Sequence, residues 1–135
     1  AVTMGGGTNH RSNLTEMALI KENHISVAGS IRLAVERVRA RSSVPVEVEV
    51  RTMEELKQAL EAKVERIMLD NWDTASMRDA VAFVAGRVPL EASGNMTVER
   101  VREVAATGVD LISVGALTHS ARALDMSLLH EGVDT

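Results

Sequence analysis

Short apolar runs alternate with segments of helical periodicity along the chain. The runs are Ala18-Leu19-Ile20, Val44 to Val50, Ile67-Met68-Leu69, Val88-Pro89-Leu90 and Val109 to Val114. All five carry β-branched residues at short strand length, which favours buried strands over helices. Judged by Glu49, Asp70, Glu91 and Ser113, the last four recur about 21 or 22 residues apart. One strand, one loop and one helix of a parallel α/β repeat occupy that interval.

The segments between the runs carry helix punctuation. Thr52-Met53-Glu54-Glu55 is a capping-box pattern, in which the Thr52 hydroxyl and the Glu55 carboxylate can each satisfy an orphan amide. Asp73 or Thr74 can cap the next helix, whose Met77, Ala80, Val81 and Val84 share a face, and Gly86 is its expected stop. Thr97 can cap a helix bearing Val98, Val101, Val104 and Ala105, closed by Gly108. Ile31, Ala34, Val35 and Val38 form the stripe of the first helix. The pattern is a βα repeat, hence a parallel sheet, open or closed. Lys21, Glu49, Asp70, Ser93 and Gly115 all fall at or just past the C-terminal end of a run. That end is where parallel α/β folds, and barrels above all, assemble their sites, so the barrel is the favoured form.

Composition removes several classes of function. The 135 residues carry a net charge of -4 with no basic tract, and aromatic residues make up 1%. A nucleic-acid partner is therefore not expected. No apolar run approaches the roughly 20 residues of a membrane span. The absence of cysteine excludes disulfides and thiolate metal sites and fits a reducing cytoplasm. The opening, Ala1-Val2-Thr3-Met4 running straight into three glycines, reads as a cut through something longer.

Several segments could carry chemistry. Gly5-Gly6-Gly7 leads to Asn9-His10-Arg11, where Arg11 and a protonated His10 can hold carboxylate or phosphate. A plain turn explains the glycines equally well. Lys21 follows a buried run, as an anion ligand or as a lysine emerging into water. Val46-Glu47-Val48-Glu49-Val50 sets two carboxylates on one strand face, either a solvated face or a barrel lumen where charges need partners. Glu49 and Asp70 together could hold Mg²⁺, directly or through water or pyrophosphate, or bind ribose hydroxyls. Glu91-Ala92-Ser93-Gly94-Asn95 and Ser113-Val114-Gly115 offer strand-end amides suited to phosphate, or ordinary turns. His119 and His130 stand isolated, as surface or packing residues, and the methionines (Met4, Met17, Met53, Met68, Met77, Met96 and Met126) read as core filling.

Taken in order, six of these segments resemble the quinolinate phosphoribosyltransferases. They are Gly5 to Arg11, Leu19 to His24, Val46 to Val50, Ile67 to Asn71, Leu90 to Asn95 and Leu111 to Ser120, and the likeness ends near Leu124 to Leu128. The resemblance implies an incomplete α/β barrel of about six strands behind an N-terminal α/β domain. Residues 1–135 would then be a partial barrel domain lacking that N-terminal domain and the first barrel strand. It implies transfer of phosphoribosyl from phosphoribosyl pyrophosphate to quinolinate, with Mg²⁺ required, giving nicotinate mononucleotide, pyrophosphate and CO2. It further implies a homodimer or higher homo-oligomer.

Carried over by position, His10, Arg11 and Lys21 fall in the cationic pocket for quinolinate and the substrate phosphates. Glu49 and Asp70 form the acidic pair facing ribose and its magnesium-bound pyrophosphate, with Lys21, Glu49 and Asp70 as the catalytic set. Ser93, Gly94 and Gly115 hold the 5′-phosphate. Only one of Glu47 and Glu49 need face the lumen productively. The segment that would bring further quinolinate-binding cations is absent, so weak ligand binding and poor turnover are expected of these 135 residues alone. Two rivals stand beside this reading: another phosphate-handling α/β-barrel enzyme, such as an isomerase of amino-acid biosynthesis, and an inactive barrel fragment.

Overall fold

A computed structural model describes residues 2–11, 13, 15–121 and 123–129; His130 lies outside them. Five strands, β1 (Ala18–Ile20), β2 (Val46–Val50), β3 (Arg66–Asp70), β4 (Leu90–Ser93) and β5 (Leu111–Ile112), form one sheet in sequential order. Every pairing is parallel. A doubly wound sheet reverses its strand order at a switch point. Here the order never reverses, and the winding is that of a barrel wall, as expected.

Among the described residues six α-helices accompany the strands: α1 (Glu22–Ala28), α2 (Ile31–Arg39), α3 (Met53–Glu61), α4 (Thr74–Val84), α5 (Val98–Ala105) and the short α6 (Ala116–His119). The expected caps are in place. Thr52, Asp73 and Thr97 accept from the amides of Glu55, Ser76 and Arg100. The Glu55 carboxylate in turn accepts from the Arg51 amide at 2.7 Å. Helix α1 is an addition to the sequence reading. Its polar opening, Glu22-Asn23-His24, conceals the helical period, and Gly29 (φ +94°) ends it so that Ser30 can cap α2. Chain reversal after α4 comes one residue earlier than expected, at Ala85, which is already left-handed ahead of Gly86.

Alternation in the strands separates two faces. Val46, Val48, Val50, Ile67, Leu69, Leu90 and Ala92 pack against Ile31, Val35, Leu56, Ala59, Met77, Ala80, Val84 and Val104 in one continuous core. Helix α5 contributes less than expected: Val104 is buried and Val101 half-buried, while Val98 and Ala105 are exposed. At about 100° per residue, Val98 and Ala105 lie 100° or more around the helix from Val104, outside the buried stripe. Among the methionines, Met17, Met68, Met77 and Met96 are buried, whereas Met4 and Met126 are exposed and fill no core.

The opposite face of the sheet carries the charges. The register sets Glu47 beside Arg66, Met68 between Glu49 and Glu91, and Asp70 beside Ser93. Both glutamates of β2 therefore point the same way, at different depths.

The sole tryptophan, Trp72, is buried and donates from Nε1 to the Val50 carbonyl at 3.0 Å, so its fluorescence reports on the core. Leu56→Ala, which empties a fully buried position, is expected to lower stability by about 2–5 kcal/mol in urea unfolding followed at Trp72. Val98→Ala at the exposed position should change it by no more than about 0.5 kcal/mol. Equal effects would mean that α5 packs otherwise.

Candidate active site

Deep on the polar face lies a cluster built from three strands and the N-terminal loop. Glu47 and Glu91 are both fully buried, and His10 Nε2 sits 2.9 Å from Glu47 Oε2 and 3.5 Å from Glu91 Oε1. Arg66 Nη1 pairs with Glu91 Oε2 at 3.0 Å, and the Ser113 hydroxyl donates to Glu91 Oε1. Arg11 is anchored by a bond from Nη1 to the Met17 carbonyl at 3.0 Å, and its charge also reaches Glu47.

Two buried carboxylates with one guanidinium between them leave a negative charge to be settled. Burial pushes the Glu47 carboxyl up to about 8 and the neighbouring Glu91 pushes the same way, against the pull of Arg66 and Arg11. Glu47 Oε1 is buried and accepts no hydrogen bond from the described residues. A proton there removes the charge and turns an orphaned acceptor into a donor. The ligand atoms of His10, Glu47 and Glu91 lie within 4.8 Å of one another, the composition of a cation site. With Arg66 and Ser113 already on Glu91, however, a proton on Glu47 is enough for neutrality.

A second cluster crowns the C-terminal ends of β1 to β3. Glu49 Oε2 lies 3.5 Å from Lys21 Nζ, and Arg51 reaches Glu49 Oε1 at 3.7 Å and Asp70 Oδ2 at 3.4 Å. Arg51 also binds Glu22 at the start of α1. The structure thus brings three of the expected residues together, Glu49 and Asp70 through the Arg51 guanidinium, which the sequence reading does not single out, and Lys21 through Glu49. It also separates the two glutamates of β2: Glu49 belongs to this strand-end cluster and Glu47 to the buried one with His10. Lys21 is 54% exposed at its side chain, so its ammonium is available to an incoming anion. His24, exposed in the first turn of α1, accepts the Lys21 amide at Nδ1, 3.0 Å away, and holds the start of that helix.

The third group is a pocket of about 370 Å³ lined by Ser93, Gly94, Asn95, Met96, Thr97, Ser113, Gly115, Ala116 and His119. Gly94 has φ +98°, and a Cβ there would meet Asn71 Oδ1 at 2.2 Å. Asn71, itself left-handed, accepts from Asn95 Nδ2 at 3.1 Å through that oxygen, so the turn after β4 is folded tightly against the turn after β3. His119 is not isolated: its Nε2 lies 3.1 Å from where a Gly115 Cβ would stand. The i, i+4 spacing from Gly115 on a helix was the available signal. Gly5 to Gly7 close a tight turn, with Gly7 N–H donating to the Val2 carbonyl at 3.0 Å, which agrees with the plain-turn reading of those glycines.

Glu47 makes stability depend on pH. Its folded-state value lies above its unfolded value near 4.5, so its stabilising contribution is full below about pH 4.5 and is lost as pH rises through about 8. Glu47→Gln, which cannot ionise, should flatten that part of the profile. Urea midpoints at pH 5.5 and 8.5 for both proteins measure it, and parallel profiles would rule out a protonated Glu47.

Comparison with known proteins bears on what this arrangement serves. The family described as quinolinate phosphoribosyl transferase, C-terminal domain, matches residues 1–129. The chain is 47% identical over 148 residues to the chloroplastic nicotinate-nucleotide pyrophosphorylase [carboxylating] of Oryza sativa subsp. japonica, covering 95% of this chain and 40% of that protein. It is 45% identical over 132 residues to the nicotinate-nucleotide pyrophosphorylase [carboxylating] of Mycobacterium leprae (strain TN), covering 95% and 46%. The solved nicotinate-nucleotide pyrophosphorylase from Francisella tularensis superposes with a TM-score of 0.88 at 46% identity, over 93% of this chain and 45% of that one. A thiamine phosphate pyrophosphorylase from Pyrococcus furiosus, at 18% identity and a TM-score of 0.58, shares the fold alone. The chain thus spans somewhat under half the length of these nicotinate-nucleotide pyrophosphorylases, and it belongs to the quinolinate phosphoribosyl transferase C-terminal domain family.

Proposed function

We propose that this chain, as a partial barrel domain, forms the phosphoribosyl-binding and acid-bearing part of a quinolinate phosphoribosyltransferase. The reaction joins quinolinate to phosphoribosyl pyrophosphate and yields nicotinate mononucleotide, pyrophosphate and CO2. One observation carries the reading: Lys21, Glu49 and Asp70 meet at the C-terminal ends of three adjacent strands, in a chain of this family. Such strand ends are where parallel α/β folds place their ligands.

Each residue then has a physical task. Lys21 and Arg11 supply positive charge, and His10 a ring nitrogen held against Glu47, for the carboxylates of quinolinate and for the phosphates. Glu49 and Asp70 favour the positive charge that develops at the anomeric carbon as pyrophosphate departs. The pyridine nitrogen attacks that carbon, the resulting pyridinium stabilises the electron pair left on the adjacent ring carbon as its carboxylate departs as CO2, and that carbon then takes a proton from solvent. Ser93, Gly94 and Gly115 hold the 5′-phosphate, with His119 at the edge of the same pocket. Positioning and fixed charge account for the catalysis, without a covalent enzyme intermediate.

The acid pair suits magnesium, since both carboxylates already gather around a cationic guanidinium. When bound, the ion would neutralise charge on the departing pyrophosphate. Assembly as a homodimer or higher homo-oligomer belongs to the same proposal. No helix among the described residues is long and apolar enough to cross a membrane. The rice relative is named as chloroplastic and a Nicotiana glauca relative as mitochondrial, and for this chain we propose the cytoplasm.

Titration calorimetry with phosphoribosyl pyrophosphate and Mg²⁺ tests the assignment. The folded chain is expected to bind, and Glu49→Gln or Asp70→Asn should weaken binding about ten-fold, or about 1.4 kcal/mol. A folded chain indifferent to the ligand would defeat the reading. Gly94→Ala, which collides with Asn71, should weaken binding by at least as much, with the 5′-phosphate resonance in ³¹P spectra no longer shifting on addition of protein.

A further inference from the structure

We propose that Arg51 is a built-in competitor for the divalent cation at Glu49 and Asp70, and that it sets how much cation the site requires. The inference rests on the assignment of that acid pair to magnesium. Arg51 follows β2 directly, and its guanidinium lies 3.4 Å from Asp70 Oδ2 through Nε and 3.7 Å from Glu49 Oε1 through Nη2. The two carboxylate side chains are 15% and 9% exposed, whereas Arg51 is 48% exposed. The guanidinium therefore lies on the solvent side of both acids, and a cation arriving from water meets it first.

The contacts are built to be exchanged. Charge-assisted hydrogen bonds close at about 2.7–2.9 Å. At 3.4 and 3.7 Å, Arg51 holds both acids by charge alone, with no bidentate geometry to lose. Its Nη1 is already bound to Glu22, at the first position of α1. When a divalent ion takes over the acid pair, Arg51 keeps that partner and is not left as an unpaired charge. Lys21, on the far side of Glu49, stays beside the anion-binding face. Free of metal, the guanidinium keeps two nearby carboxylates from repelling one another; with metal, the ion does the same work. The two cations are alternatives for one seat, so each must weaken the other.

Manganese is the probe, with free Mn²⁺ measured by electron paramagnetic resonance on the full 135-residue chain, with and without inorganic pyrophosphate. Arg51→Gln is expected to tighten Mn²⁺ binding about two- to five-fold, the range that partly exposed ion pairs support. Arg51→Lys, which keeps the charge, should stay within about two-fold of the parent by the same argument. Circular dichroism confirms that each variant is folded. Mn²⁺ binding that is unchanged or weaker in Arg51→Gln overturns the competition, even where Glu49→Gln shows that the ion sits at the acid pair. Mn²⁺ binding that Glu49→Gln and Asp70→Asn leave untouched, or no binding by the parent, removes the metal assignment and this inference with it.

Discussion

Two buried carboxylates on one face of the sheet, Glu47 and Glu91, impose the constraint that the rest of the site obeys. Neither reaches water, so each must find a proton, a cation or a donor within the protein. Arg66, Ser113 and His10 are drawn together by that need, from a strand start, a strand end and a loop. The consequence is a stiff electrostatic floor beneath the strand ends. His10 rests on it with its ring held against Glu47 and a quarter of its side chain exposed, so it can face a ligand from a fixed position.

Above that floor the charges are looser. The contacts of Lys21 with Glu49, and of Arg51 with Glu49 and Asp70, lie at 3.4 to 3.7 Å and favour exchange of partners over permanence, while Arg51 stays bound to Glu22. Depth explains the difference. Low dielectric makes an unpaired charge costly at Glu91, while nearby water screens the pairs at Arg51. Under the proposed function, polyanionic substrates would meet deep charges that orient and outer ones that yield.

The helix side of the sheet supplies the rigidity both layers depend on. An unbroken layer of aliphatic side chains fixes strand register, and register decides which polar residues become neighbours. A one-residue slip of β3 would bury Ile67 and Leu69 among the carboxylates and turn Arg66 and Asp70 into the core. The tight turns after β3 and β4 act likewise, since Gly94 lets Asn71 approach closely enough to bind Asn95 across the strand ends.

The sequence by itself determined the repeating unit, the parallel class, the caps at Thr52 and Thr97, a cap at Asp73 or Thr74, and the strand-end positions of Lys21, Glu49, Asp70, Ser93 and Gly115. These follow from local rules: period two in strands, period 3.6 in helices, and side chains that satisfy orphan amides nearby. The polar first turn of α1 hides its period, and in α5 the helical period alone does not say which of the apolar faces, that of Val104 or that of Val98 and Ala105, turns to the sheet. Only the tertiary structure decided the partners. That His10 meets Glu47, that Arg66 answers Glu91, and that Arg51 covers Glu49 and Asp70 depends on register between strands and on how deeply each carboxylate is buried. Side-chain charge is written in the sequence, but its neutralisation is settled by distance and dielectric, which exist only once the sheet has formed.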